Sequence, residues 1–360
     1  MRNALILAAF LALTRAPLRA DQASRDHLSR YFSSWFSVCP GTKVSVAEAA
    51  EIAIPGYEAY RVQRQCDSKN RNELSITLLD RGRDEVFVGE VLHSEARHDQ
   101  PFSATEDIAV LEAALRDVYG LPSSILLGEG TRGALIPLRV SIRQAEKASA
   151  SLPGFVSQDG ATLLLGEFRP FGFDPGAWRD RLLSESPGVR PQKGSFIVTA
   201  FIDFQCERCR RRTPQLRDFV WTHGGALEIR FLPLVKVHDW AFAAAESAAA
   251  LALISPALYA RYEETLFPKA PTMTEKGARE LGADVAEAAG VRDAYETELS
   301  SGRASARVLR DVELALKLGL NSTPVFFYRG ALLMGEPRLA EDYIQSKLNA
   351  PTASDKGAPR

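Results

Sequence analysis

Cysteine is scarce in this chain, four among 360 residues, and methionine is scarcer at three. Only one pair of cysteines stands close together in sequence, so a zinc site would lack the further ligands it needs and no metal is expected. Neither sign of charge dominates: 44 Lys and Arg against 45 Asp and Glu leave a formal net charge of -1. That balance speaks against a nucleic-acid binder, an acidic tail or a partner chosen by overall charge. Past the first residues, no apolar stretch is long enough to cross a bilayer as a helix.

What the chain does have is ample core material, 46% apolar against 25% charged, over a length that implies two or three domains. Arg2 precedes an apolar run over residues 4–13, and Pro17 and Ala20 follow just ahead of polar residues. This layout reads as a secretory signal peptide over residues 1–20 rather than an anchor or a core helix, because the run is too short to span a membrane. The mature protein is therefore expected to be periplasmic or otherwise extracytoplasmic, where disulfides persist.

The most informative stretch is Phe201-Ile202-Asp203-Phe204-Gln205-Cys206-Glu207-Arg208-Cys209. Residues 195–204 have the β-branched and aromatic content of a buried strand, and residues 210–220 switch to helical spacing. Cys206 thus lies at a strand-to-helix junction, where free backbone N–H groups and the helix dipole favour a thiolate. One helical turn brings Cys209 within disulfide reach, so a thiolate that attacks a partner's disulfide can be resolved by its neighbour. Redox chemistry fits this context better than a static bridge or half a metal site.

Residues 21–183 read as an α+β region. An amphipathic helix over 24–38 precedes strands over 58–65, 73–79 and 85–92, the last two joined by a hairpin at 80–83. Ser103 and Glu106 are read as a capping box opening a helix that stops at Gly120, and further strands are expected within 134–168. Pro55-Gly56-Tyr57 leading to Val88-Gly89-Glu90 is echoed by Pro153-Gly154-Phe155 leading to Leu165-Gly166-Glu167. The echo is read either as a diverged repeat of one unit, 21–98 and 99–172, or as coincidence between strand-turn patterns. Cys39 and Cys66 fall here, and an exported chain favours a structural staple between them over two unrelated buried thiols. Asp174-Pro175 opens one more helix, and residues 184–194, rich in proline and glycine, form the expected linker.

Beyond the CxxC helix come a strand over 226–234, a long helical stretch over about 238–318, strands over 325–328 and 331–334, a last helix to about 348, and a flexible tail over 349–360. This order, with four separate motifs in it, resembles the DsbA-like thioredoxin-fold family of exported thiol-disulfide oxidoreductases. The motifs are Asp203-Phe204-Gln205-Cys206 with Cys209; Leu232-Pro233-Leu234 with His238, Ala241, Ala244 and Ala245; Tyr262 through Leu266-Phe267; and Leu318-Gly319-Leu320-Asn321-Ser322-Thr323-Pro324. The resemblance covers residues 195–348 and leaves 21–183 unassigned. It implies an α/β thioredoxin-like domain with a helical insertion, preceded by the α+β region.

By the same resemblance Cys206 is the exposed nucleophile, Cys209 the buried resolving thiol and Pro324 a cis-proline facing them, with the Thr323 backbone pairing to an extended client. The implied partners are cysteine-containing unfolded or secreted proteins and a redox partner that recycles the pair, without a cofactor. Residues 21–183 are expected to enlarge the client surface or mediate self-association as a homodimer. A non-catalytic thioredoxin-fold binding or scaffolding protein is the rival reading.

Two departures from the family pattern stand out. Glu207 and Arg208 replace the usual proline after the first cysteine; Glu207 opposes ionisation of Cys206 and Arg208 favours it. Arg210, Arg211 and Arg212 either stabilise the thiolate, steer acidic clients or line a solvated helix face. The family commonly buries a carboxylate six residues before the first cysteine, where this chain has Ala200. Asp203 falls on the opposite face of a regular strand, so water or Glu207 is expected to take the proton of Cys209. His238-Asp239 fits capping or packing at the start of the alanine-rich helix and is kept outside the site.

Overall fold

The structure is a computed structural model that describes residues 22–349, apart from positions 37, 40, 67–71, 94–100, 121, 146–147 and 335–336. The expected signal peptide and the flexible tail thus lie outside the described residues. Two sheets carry the chain. The first half runs α1 (Gln22–Trp35), β1 (Lys43–Glu48), β2 (Glu58–Gln65), β3 (Asn72–Asp80), β4 (Glu85–His93), α2 (Asp107–Tyr119), β5 (Ser123–Leu127), β6 (Leu135–Ala145), β7 (Ala148–Ser157), β8 (Thr162–Pro170) and α3 (Pro175–Glu185). Its eight strands form one antiparallel sheet in the order β1-β2-β3-β4-β8-β7-β6-β5.

That order makes each half of the sheet a helix followed by a four-stranded meander, with the two last strands, β4 and β8, paired antiparallel at the centre. Strand alternation sends Tyr60, Val62, Val86, Val88, Leu138, Val140, Leu163 and Leu165 into the main core, which also holds Leu28, Tyr31 and Phe32 of α1. Leu78, Phe87, Leu135 and Leu164 project from the other face into a smaller cluster closed by Ile52 and Ile54. Gly89 and Gly166 sit directly opposite one another on β4 and β8, at φ 151° and 145°. A Cβ on Gly89 would run into the Leu165 carbonyl, and one on Gly166 into the Val88 carbonyl. Glycine here lets the two meanders meet.

The Gly-Glu half of the sequence echo therefore falls on equivalent strands, whereas its Pro-Gly half does not. Pro55-Gly56 is a turn ahead of β2, while Pro153-Gly154 lies inside β7. Two short strands escaped the sequence reading. β1 and β5 are outer strands with one neighbour each, so their apolar alternation is brief. The capping box at Ser103 also differs: Glu106 is the N-cap without a side-chain bond, and the Asp107 carboxylate instead accepts from the Ser103 N–H at 2.8 Å. Gly120 ends α2 in the left-handed conformation as expected.

The second half runs β9 (Ile197–Ile202), α4 (Glu207–Thr222), β10 (Ala226–Phe231), α5 (Ala241–Ile254), α6 (Pro256–Lys269), α7 (Glu275–Ala288), α8 (Arg292–Ser300), α9 (Arg303–Lys317), β11 (Val325–Tyr328), β12 (Ala331–Leu333) and α10 (Pro337–Leu348). The four strands order as β10-β9-β11-β12, with β10 parallel to β9 and the rest antiparallel. The parallel pair, linked through α4, is the βαβ unit that puts a helix start at the end of β9.

The two halves are in contact at several points. Arg179 of α3 is buried and donates to the carbonyls of Ser34, Trp35 and Gly330, tying α1 to the β11–β12 turn. The Ser151 N–H of β7 donates to Glu313 of α9 at 3.3 Å, and Gly120 lies so close to Lys236 that a Cβ would come within 2.8 Å of its nitrogen. Residues 184–194 are not a free linker. Val189 is buried and exchanges two 2.8 Å backbone bonds with Ile229, extending the sheet beyond β10, because an open edge there would leave backbone groups unpaired. On the far side the Val38 N–H donates to Leu332 of β12 at 2.8 Å.

Cys39 and Cys66 are disulfide-bonded and close a loop of sequence separation 27 between the end of α1 and the end of β2. Replacing both with alanine should lower the unfolding free energy by roughly 2 to 4 kcal/mol, measured by denaturant titration. Gly166→Ala should cost a comparable roughly 2 to 4 kcal/mol, since the new Cβ forces β4 and β8 apart. Thermal melting that is unchanged in this variant would mean the two strands are not pressed together there.

Candidate functional site

β9 is apolar on both faces, as a strand covered on both sides must be, with Val198, Ala200, Phe201 and Ile202 all buried. It stops at Asp203. Phe204 then turns into an aromatic cluster with Phe231, Tyr262 and Phe267, at ring-centroid distances of 6.1, 6.0 and 5.9 Å. This anchor fixes the turn from which α4 starts. Cys206 is the N-cap of α4, in extended conformation, and Cys209 lies one turn inside it.

The cysteines are free thiols, so the structure holds the reduced pair. Cys209 is fully buried and Cys206 keeps 9% exposure, a narrow opening rather than the open position expected of the nucleophile. Asp203 donates its N–H to the Cys209 sulfur at 3.4 Å, and the Cys206 sulfur lies 3.6 Å from the Thr323 carbonyl oxygen. The Thr323–Pro324 peptide is cis. Strand pairing delivers this loop: β11 begins at Val325, opposite Phe201 on β9, so Thr323 and Pro324 arrive beside the end of β9.

The two sulfurs have opposite acidities. A hydrogen bond from the Cys209 thiol is the largest cause holding Cys206 down to about 5; burial opposes it, and the Cys209 and Arg208 N–H groups add to it. Burial is the first cause pushing Cys209 well above the ordinary thiol range, followed by its neighbour Cys206. The helix start therefore supports the thiolate on the outer sulfur and the proton on the inner one.

Glu207 does not take the part suggested by its place in the sequence. Its side chain is 76% exposed and points along the helix to Arg211 at 3.9 Å, away from the buried Cys209. Arg208 is exposed and reaches Cys206 through its backbone N–H. Arg210 donates to the Gln205 carbonyl at 2.7 Å, bracing the turn. Ala200 is fully buried between β10 and β11, opposite Ile229 and Phe326, and places no charge there.

Asp203 is more central than its sequence position implied. Its carboxylate is almost fully buried and accepts from the N–H groups of Gln205 (2.7 Å), Cys206 (3.3 Å) and Leu234 (2.8 Å). The fourth partner is His238 Nδ1 at 2.8 Å, which brings His238 into the site and corrects its assignment to helix packing. Its signal was the His-Asp pair just after the β10 exit, but the contact to Asp203 spans 35 residues and needs the parallel β9–β10 pairing to form. Asp203 raises His238 above its ordinary value, with the charge of Cys206 adding to this against opposition from burial and Arg210. Gln205 and Asp239 lock the two loops further, through Gln205 Nε2 to Asp239 at 2.8 Å and the Trp240 N–H to Gln205 Oε1 at 3.0 Å. Among the described residues no group of His, Cys, Asp or Glu could hold a metal, and no helix is long and apolar enough to cross a membrane.

Residues 192–342 match the family model Thioredoxin_4, described as thioredoxin. The carboxy-terminal part of the chain is thioredoxin-like. The match covers less than half of the sequence and leaves the eight-stranded sheet outside it. The chain is also similar to the Na(+)/H(+) antiporter NhaA 3 of Salinispora tropica, 27% identical over 147 residues, 39% of this chain but only 21% of that protein. It thus spans about a fifth of that curated relative. Similar solved structures include α-DsbA2 of Wolbachia pipientis (13% identity, 48% of this chain and 97% of that one, TM-score 0.40). Others are the catalytic domain of Proteus mirabilis ScsC (18%, 49% and 98%, 0.41) and BdbD of Bacillus subtilis (17%, 46% and 96%, 0.39).

In the reduced protein, ultraviolet thiolate absorbance should rise with a midpoint near about 5 and disappear in Cys206→Ala. In Cys209→Ala the midpoint should move up toward the ordinary thiol range, because the largest donor to Cys206 is gone. An unmoved midpoint would assign the effect to the helix start alone.

Proposed function

We propose that the chain is an exported thiol-disulfide oxidoreductase in which Cys206 attacks and Cys209 resolves. The observation that carries this reading is the geometry of one CxxC turn: Cys206 caps α4 with its sulfur 3.6 Å from the Thr323 carbonyl oxygen of the cis Thr323–Pro324 loop, and Cys209 lies fully buried one turn inside. The lowered pKa of the outer sulfur and the raised one of the inner are in keeping with it. Nucleophilic attack on a disulfide needs a thiolate, and resolution needs a second thiol one helical turn away.

In the oxidising direction a client thiolate attacks the sulfur of Cys206 in the Cys206–Cys209 bridge, and Cys209 leaves and takes up a proton. A second client thiolate then attacks the client sulfur, forming the client disulfide and expelling Cys206 as a thiolate. Two electrons pass from the client to the pair. Stabilising the Cys206 thiolate stabilises the reduced enzyme, which drives the reaction this way. Because the acidity of Cys206 lies below the ordinary thiol value of 9.0, that contribution is fully present above 9.0 and is lost as the pH falls through about 5.

Export is supported by the Cys39–Cys66 disulfide, which suits an oxidising compartment, together with the signal-peptide layout of residues 1–20. Clients are cysteine-containing unfolded or secreted proteins whose extended segments pair with the Thr323 backbone, and a separate redox partner restores the bridge. Residues 21–183 would enlarge the client surface or join two copies of the chain.

The test is oxidative refolding of a reduced, unfolded model protein. The unaltered chain, oxidised at Cys206–Cys209, should form its disulfides. Offered the disulfide-bonded client instead, reduced Cys209→Ser should accumulate mixed disulfides, because its Cys206 thiolate opens a client disulfide and no neighbour releases it, while Cys206→Ser accumulates none. Trapping by Cys206→Ser instead would reverse the two roles, and an unaltered chain that oxidises nothing would leave a binding module with an inert CxxC.

A further inference from the structure

A buried carboxylate three residues from a thiolate needs compensation. Asp203 and Cys206 are linked through the Cys206 N–H, and negative charge on both would raise the cost of each in so enclosed a place. The side chain that can balance them is His238. An ionised carboxylate can only accept, so the imidazole donates from Nδ1 to Asp203, and its other nitrogen is free to gain or lose a proton.

Building on the oxidoreductase reading, we propose that His238 is a positioning residue that takes up a proton when the Cys206–Cys209 bridge is reduced and releases it when the bridge reforms. Its place supports this: the imidazole is partly exposed, at 23% of its side chain, while Asp203 behind it is sealed. Solvent protons therefore reach His238 directly, whereas the Asp203 carboxylate is closed off behind it.

The charged groups facing the imidazole are Asp203 at the end of β9, Cys206 at the start of α4 and Arg210 one turn further, the last opposing protonation. Asp239 alongside is held by Gln205. Only Cys206 changes charge with redox state. Reduction by a client dithiol transfers two electrons and frees two protons: one goes to the Cys209 sulfur, and the second, which Cys206 leaves unclaimed as a thiolate, goes to His238 if neutral and otherwise to solvent. Reformation of the bridge abolishes the Cys206 charge and weakens the hold on that proton.

Two measurements on the full chain test this. Nuclear magnetic resonance titration of the His238 imidazole, assigned by its loss in His238→Gln, should give a higher midpoint in the reduced than in the oxidised protein; equal midpoints would overturn the proposal. Between the acidities of Cys206 and Cys209 the pair alone takes up one proton for two electrons, so its equilibrium constant for reduction changes about tenfold per pH unit. The unaltered protein should change more steeply than that around and above the ordinary imidazole value of 6.5, and His238→Gln should return to about tenfold. A merely structural histidine would leave this slope unmoved. Both redox forms are prepared with small thiols and disulfides, so a failure to oxidise client proteins leaves this result readable. Should His238→Gln fail to fold, assignment by selective histidine labelling still permits the titration of the unaltered chain.

Discussion

Everything at the CxxC turn depends on one buried carboxylate having all of its partners. Asp203 accepts from three backbone N–H groups and one imidazole, drawn from the turn before α4 and from the loop leaving β10. Each bond is charge-assisted, and removal of several at once would strand an ion in the interior at a cost of several kcal/mol. The arrangement therefore holds the two loops as one rigid piece. Because the Asp203 N–H also meets the Cys209 sulfur, the same residue sets where both sulfurs sit.

The first half of the molecule reaches this piece indirectly. α2 ends at Gly120 against Lys236, two residues before His238, so the loop that supplies the imidazole is bounded on its outer side by a helix of the eight-stranded sheet. Glu313 and Arg179 add further fixed points between the halves. Within the large sheet, the meeting of β4 and β8 through Gly89 and Gly166 plays a comparable part, since two meanders become one surface only if neither strand carries a side chain there.

Sequence was informative where chemistry and local structure coincide. Cys206 and Cys209 could be placed because a strand-like run stops just before them and a helical spacing starts just after, whereas Thr323-Pro324 was placed only through the family resemblance, since the residues alone read as an ordinary strand entry. The helix from Asp174-Pro175 was legible from its cap. Contacts made only by the fold were not. Adjacency to Cys206 made Glu207 look like a proton acceptor, yet at the first helical position its side chain projects outward. His238 looked like a helix cap, and only the parallel pairing of β9 and β10 brings it to Asp203. Val189 sat in a proline- and glycine-rich stretch that reads as loose chain, but sheet-edge pairing overrides composition there.

The closing of both flanks of the smaller sheet has a consequence for how it meets other proteins. Val189 occupies the side of β10 and Val38 the side of β12, each through main-chain bonds at the middle of a short strand. A sheet with open flanks invites any extended chain to zip onto it, which would mean indiscriminate capture and self-assembly. Here those sites are filled by the chain's own segments on either side of the large sheet. The guards come from outside the smaller sheet's own elements: Val38 from the first half, next to the disulfide cysteine Cys39, and Val189 from the segment that joins the halves.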